Sequence, residues 1–154
     1  MAARASTADL DALADVVTRL RRALRRMVRS EVPFETPMAQ IEVMQLLAER
    51  PGLRAGEVGE ALLLAPTTVS TLVGALLAQD LIDRTADPAD RRAWQLHLTA
   101  DGRQQLADWQ QSNRRVLREA AAQLDASDVR ALREAVPALT HLVNRLDAGR
   151  TEDA

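Results

Sequence analysis

The 154-residue chain contains no cysteine. That absence removes disulfides, thiolate nucleophiles, cysteine-based zinc sites and thiol redox sensing together. Only two histidines occur, His97 and His141, too far apart to suggest a metal site, and no glycine-rich phosphate loop is present. No nucleophile–base pair assembles, so no catalytic residue, cofactor or metal is expected and an enzyme is the least supported class. No stretch approaches the roughly 18 apolar residues of a membrane span. The opening residues, MAARASTADLDAL, hold no apolar run before their first acids and do not read as a signal peptide. A soluble, cytoplasmic protein is expected. Internal repeats and low-complexity tracts are missing as well. So is lysine: all twenty basic residues are arginine, and every cation can therefore make planar, bidentate contacts.

What is present suits a folded domain. Apolar residues make up 47% of the chain and charged residues 27%, enough to bury a core. The net charge of −2 gives no overall attraction to nucleic acid, so any such role depends on how the charges are distributed. Residues 9–30 read as one long helix, with Leu13, Val17, Leu20, Leu24 and Val28 at helical spacing and acids near its start. Six arginines crowd its second half, spread around the helix in positions to pair with acids of the next one. Pro37 opens a second helix, MAQIEVMQLLAER, which Pro51-Gly52 ends. A short helix, RAGEVGEALL, leads through a tight link into PTTVSTLVGALLAQD. In that fourth helix Leu72, Val73, Leu76 and Leu77 form the expected buried stripe, while Thr67, Thr68, Ser70 and Thr71 lie largely off it.

The period then changes from helical to alternating. LIDRT and AWQLHLT read as strands, with Trp94, Leu96 and Leu98 to one side, joined by the turn ADPADRR. Asp87, Pro88, Ala89 and Asp90 supply turn chemistry; Arg91 and Arg92 do not. Either those two are solvated charges or the turn holds them out towards something negative. Thr99 reads as the N-cap of a fifth helix that carries Leu106, Trp109, Val116, Leu117, Ala120 and Leu124 on one face. Asp125-Ala-Ser-Asp128 resembles a capping box ahead of the last helix. There Val129, Leu132, Val136, Leu139, Val143 and Leu146 form a narrow coiled-coil-like seam, and Pro137 inside it should kink or break the helix.

Two closely spaced helices followed by a hairpin outline a winged helix-turn-helix. In such a module the second helix enters a DNA major groove and the hairpin a neighbouring minor groove. From about residue 36 to 103 the sequence resembles the MarR-type bacterial transcription regulators, through GEVGEALLLAPTTVSTLVGALLAQDLIDRTADPADRRAWQLHLTADGR. The most specific part is DPADRR with LIDR before it and LTADG after it. The resemblance implies that Arg92 is the wing-tip arginine entering the minor groove, braced by Asp90 two residues earlier, with Arg91 a phosphate contact or a partner for Asp87. It also implies that Thr67, Thr68, Ser70 and Thr71 meet phosphates or base edges. This chain departs from the family at Ala65, where a capping serine is common, and at Thr71 and Gly74-Ala75, where many members carry charged residues. Without an arginine on this helix, bidentate reading of guanine from it is not expected.

The expected fold is therefore mainly α with a small β-hairpin wing: a winged helix-turn-helix plus a helical dimerisation region. Its parts are an N-terminal dimerisation helix (9–35), the DNA-binding domain (36–99), C-terminal dimerisation helices (100–147) and a disordered tail (148–154). The expected function is a dimeric, sequence-specific DNA-binding regulator, a repressor acting on a palindromic operator of roughly 16 to 24 base pairs. The resemblance further implies release by a small aromatic or phenolic ligand. Met27, Phe34, Met38 and Trp109, near the expected junction of the two regions, are the candidate pocket residues. The alternative is a winged-helix adaptor that binds protein and not DNA.

Overall fold

The computed structural model describes residues 6–31, 36–88, 90 and 92–149. The element order is α1 (Thr7–Glu31), α2 (Met38–Glu49), α3 (Ala55–Leu62), α4 (Pro66–Ala78), β1 (Ile82–Ala86), β2 (Trp94–Leu98), α5 (Ala100–Ala121) and α6 (Ala126–Gly149). The chain is mainly helical with one two-stranded antiparallel sheet, as its change of period indicates. It divides into two compact units, residues 1–114 and 115–154.

The core of the first unit is built by α2, α3, α4 and the hairpin. Ile41, Val43, Met44 and Leu47 of α2 meet Val58 of α3, Val69, Val73 and Leu76 of α4, and Leu81, Ile82, Leu96 and Leu98 of the hairpin, with Leu106 of α5 joining them. The buried stripe of α4 is displaced from the expected one. Val69 belongs to it, whereas Leu72 and Leu77 are only partly buried. The α3–α4 pair bends by 117° across the break between the helices, within the usual range for a helix-turn-helix. Leu63 makes the turn with left-handed backbone (φ 54°), an unfavourable conformation for a branched side chain. Two close approaches hold the turn in place. The Leu64 N–H donates to Gly59 O (2.9 Å), and a Cβ on Gly59 would lie 3.2 Å from Val69 Cγ2.

Strand register pairs Ile82 with Leu98, Arg84 with Leu96 and Ala86 with Trp94. Leu96 and Leu98 are buried as expected. Trp94 shares their face, yet it is 49% exposed, because it projects past the edge of the core. There the Arg84 guanidinium stacks on the indole, 5.1 Å from the ring centroid. Beyond the expected hairpin, Leu53 adds an antiparallel bridge to Leu96. The turn after α2 thus feeds a third short segment alongside β2.

Thr99 caps α5, accepting the Gly102 N–H at 2.9 Å and donating to Asp80 O at 2.7 Å. In the second unit Asp125 Oδ1 accepts the Asp128 N–H at 3.1 Å, capping α6. That helix runs through Pro137 to Gly149, so of the two expected effects of Pro137, a kink or a break, the break does not occur, and the helix extends two residues into the expected tail. Proline removes only one intrahelical bond, and helical residues on both sides propagate the helix across it. The seam residues Leu132, Val136, Leu139, Val143 and Leu146 are all exposed, as are Leu117 and Leu124, which do not join Val116 in burial. Among the described residues no single helix is long and apolar enough to cross a membrane.

Candidate nucleic-acid interface

Helix α4 has the composition PTTVSTLVGALLA, with no charged residue. Pro66 occupies its first turn and Ala65, at the N-cap, offers no side-chain bond to the helix start. Ser and Thr near a helix start commonly cap it; none of the four candidates does so here. Thr67, Thr68, Ser70 and Thr71 are all exposed, on the face opposite Val69, Val73 and Leu76. The Thr71 hydroxyl donates back to Thr67 O at 2.9 Å, whereas those of Thr67, Thr68 and Ser70 have no partner among the described residues. Further along this face a Cβ on Gly74 would meet nothing within 4 Å.

The wing turn is organised by its two aspartates. Asp87 is buried at 5% exposure. Its N–H donates to Ala93 O (3.0 Å), and the Ala93 N–H donates to Asp90 O (2.8 Å), closing the turn. Asp90 Oδ1 accepts the backbone N–H of Arg92 at 3.0 Å. The expected brace is therefore made to the backbone of Arg92 and not to its guanidinium, which has no ion-pair partner among the described residues. Arg92 is exposed. Arg91 and, at the α1–α2 connection, Phe34 lie outside the described residues.

Sequence reasoning missed the residue that anchors the wing. Arg54 Nε and Nη2 converge on Asp87 Oδ2 at 2.9 and 2.7 Å, and the hydrogen bonds and charge of Asp87 raise the Arg54 pKa above its ordinary value. Asp87 thus has Arg54 as a partner from outside the turn. No local pattern signals this pair; Arg54 reaches the turn because the preceding residue, Leu53, is bridged to Leu96 of β2. On the wing strands, His97 is half-buried with its Nε2 3.1 Å from Thr85 Oγ1.

Met38 and Trp109 pack against the core, while Met27 is 48% exposed. An open groove of about 490 Å³ lies along α1, lined by Val16, Arg19, Leu20, Arg22, Ala23 and Arg26. One arginine of that helix is accounted for by pairing with α2, Arg21 to Glu42 at 2.7 Å.

A 117° helix pair, an exposed second helix and a hairpin with an arginine at its tip define a winged helix-turn-helix. Residues 36–93 match the model of the MarR family. Solved structures share the fold over nearly the whole chain. The transcriptional regulator Tm0710 from Thermotoga maritima is 23% identical, covering 93% of this chain and 99% of its own, with a TM-score of 0.73. The PcaV transcriptional regulator from Streptomyces coelicolor is 25% identical, covering 85% and 96%, with a TM-score of 0.61; it is also known in complex with its natural ligand. Wild-type MarR from E. coli is 17% identical, covering 82% and 96%, with a TM-score of 0.68. No curated protein matches the chain. Through the match over residues 36–93 and this shared fold, the chain is similar to the MarR family of transcriptional regulators.

Proposed function

We propose that the protein is a cytoplasmic, dimeric, sequence-specific DNA-binding regulator, a repressor, with residues 36–99 as its DNA-binding domain. The observation that carries this reading is the exposed pair of surfaces on one module: an uncapped second helix, and a wing tip whose Arg92 guanidinium has no ion-pair partner among the described residues. The backbone N–H groups of Thr67 and Thr68 lie in a first turn without a side-chain cap, which suits them to a phosphate oxygen. Thr67, Thr68, Ser70 and Thr71 meet the major groove. Arg92 enters the minor groove, oriented through Asp90, and Arg91 contacts phosphate.

The exposed seam of α6 and the exposed leucines and valines of α1 support dimerisation through segments 9–35 and 100–147, since apolar stripes of this length need a partner surface. A two-fold dimer sets two recognition helices about one DNA turn apart, on a palindromic operator. PcaV is known in complex with its natural ligand, which supports a ligand-responsive reading; we take the ligand here to be a small aromatic molecule that releases the DNA, with Met27, Phe34, Met38 and Trp109 as the candidate pocket residues. Such a ligand acts only by favouring a helix spacing that DNA disfavours.

The test is binding of the purified protein to its own upstream DNA across a salt series, beside Arg92→Ala. Affinity should fall steeply with salt, and the variant should lose about 1–3 kcal/mol. Salt-independent binding, or full affinity of folded Arg92→Ala, would refute the wing assignment. Absence of DNA binding with capture of a protein partner would favour the adaptor, which the lack of charge on α4 suits.

A further inference from the structure

Resting on the DNA-binding reading, the geometry points to a particular class of operator: we propose that α4 reads thymine methyl groups, so that the half-sites are rich in A·T pairs with thymines placed under Thr67, Thr68 and Thr71. Direct reading of the major groove has few partnerships. Guanine takes Arg or Lys, adenine takes Asn or Gln, cytosine takes Glu or Asp, Ser and Thr hydroxyls bond to any of these with little selectivity, and the thymine methyl takes an apolar contact such as a threonine methyl. Helix α4 supplies none of the first three sets, because it contains no Arg, Lys, Asn, Gln, Asp or Glu. Gln79, immediately after it, is engaged, its Nε2 donating to Ala75 O at 3.0 Å and to Gln40 Oε1 at 3.4 Å. Hydroxyls and methyls are what remain.

Thr71 narrows the choice. Its hydroxyl proton is committed to Thr67 O, so it cannot donate to a base acceptor; its oxygen can still accept, and its methyl is left to meet a thymine methyl. One turn on, Gly74 is exposed and open, and a bare backbone there lets the floor of the groove come close. The wing favours the same base composition independently, because the narrow, strongly negative minor groove that attracts an arginine is a property of A·T-rich DNA.

The experiment selects duplexes from a random library with the purified full-length protein, then remakes the preferred duplex with deoxyuridine in place of thymidine in the half-sites. This substitution removes the C5 methyl from the major groove and leaves the base pairing and minor-groove edge intact. Each contacted methyl should account for about fourfold in affinity, and a symmetric pair for on the order of tenfold. Thr71→Val, which keeps the methyl, should bind like the wild type; Thr71→Ser, which keeps the hydroxyl, should bind several-fold more weakly to the thymidine duplex and show no difference from wild type on the deoxyuridine duplex. A G·C-rich preferred site, undiminished affinity for the deoxyuridine duplex, or the opposite order of the two Thr71 variants overturns this inference alone. Failure to enrich or bind any DNA overturns the DNA-binding reading, and this inference with it.

Discussion

Gly102→Ala sets one added methyl against the joint between α5 and the wing. A Cβ at residue 102 would lie 1.9 Å from the Leu81 carbonyl oxygen and 2.9 Å from its carbonyl carbon. Carbon–oxygen contacts of even the weakly hydrogen-bonded kind sit at about 3.3–3.6 Å, so the first turn of α5 must retreat from Leu81 by more than about 1 Å. Leu81 is buried and cannot simply swing into solvent. Two hydrogen bonds tie the helix start to this segment: the Thr99 N–H to Leu81 O at 3.1 Å and Thr99 Oγ1 to Asp80 O at 2.7 Å. Stretching both costs about 1 kcal/mol each, and forced repacking adds about 1–3 kcal/mol. Replacing a helical glycine returns at most about 1 kcal/mol. The net expectation is a loss of about 2–4 kcal/mol, large against the roughly 5–15 kcal/mol of a whole domain. Gly74→Ala is the matched control: it is also helical, its Cβ meets nothing within 4 Å, and it should gain about 0.5–1 kcal/mol. Urea unfolding followed by far-UV circular dichroism, at one fixed protein concentration because association shifts apparent stability, measures both. An unchanged or raised midpoint for Gly102→Ala, or equal losses in the two variants, would refute the steric argument.

Two further outcomes follow from the wing anchor and from the α6 cap. Arg54→Gln should loosen the wing root, speeding amide exchange at Asp87 and Ala93, and should weaken DNA binding about three- to tenfold, a coupling in the ordinary range for groups in contact; exchange and affinity both at wild-type values would show that the Arg54–Asp87 pair is dispensable. The hydrogen bonds from the Ser127 hydroxyl and then the Asp128 N–H lower the Asp125 pKa below its ordinary 3.8. A depressed carboxyl pKa stabilises the folded helix start above the unfolded value, and the contribution is lost as pH falls below about 3.8 through the folded value. The Asp128 amide resonance, followed by NMR from neutral to acid pH, should therefore shift only in that acid window, and in Asp125→Ala this titration should vanish.

The parts of the fold that could be read from the sequence are those specified within a few residues. A helix cap is a matter of one side chain and the amide three positions on, so Thr99 and Asp125 were identifiable, and both make the expected bond. The change of period at residue 81 marks the hairpin, because alternation and helical spacing are incompatible patterns over five residues. The exposure of Thr67, Thr68, Ser70 and Thr71 follows from the apolar stripe opposite them. Its register was misjudged because the second half of α4, LVGALLA, is apolar all round. With Val69, Leu72, Val73, Leu76 and Leu77 all available, only the packing partners decide which are buried.

What escaped the sequence depends on residues brought together from a distance. Arg54 and Asp87 are 33 positions apart, and neither has a local pattern announcing the other. Asp87 in isolation is a turn residue, and its burial is visible only once Leu53 is bridged to Leu96 and carries Arg54 beside the turn. The same dependence explains Trp94. Alternation assigns it correctly to the face of Leu96 and Leu98, but alternation says nothing about where the helical layer beneath that face ends. The layer ends before Trp94, the indole is left to Arg84, and a residue patterned as core becomes part of the wing's surface. Local chemistry thus located the wing and the second helix of the helix-turn-helix, while contacts remote in sequence determine how rigidly the wing is held against the body that presents it.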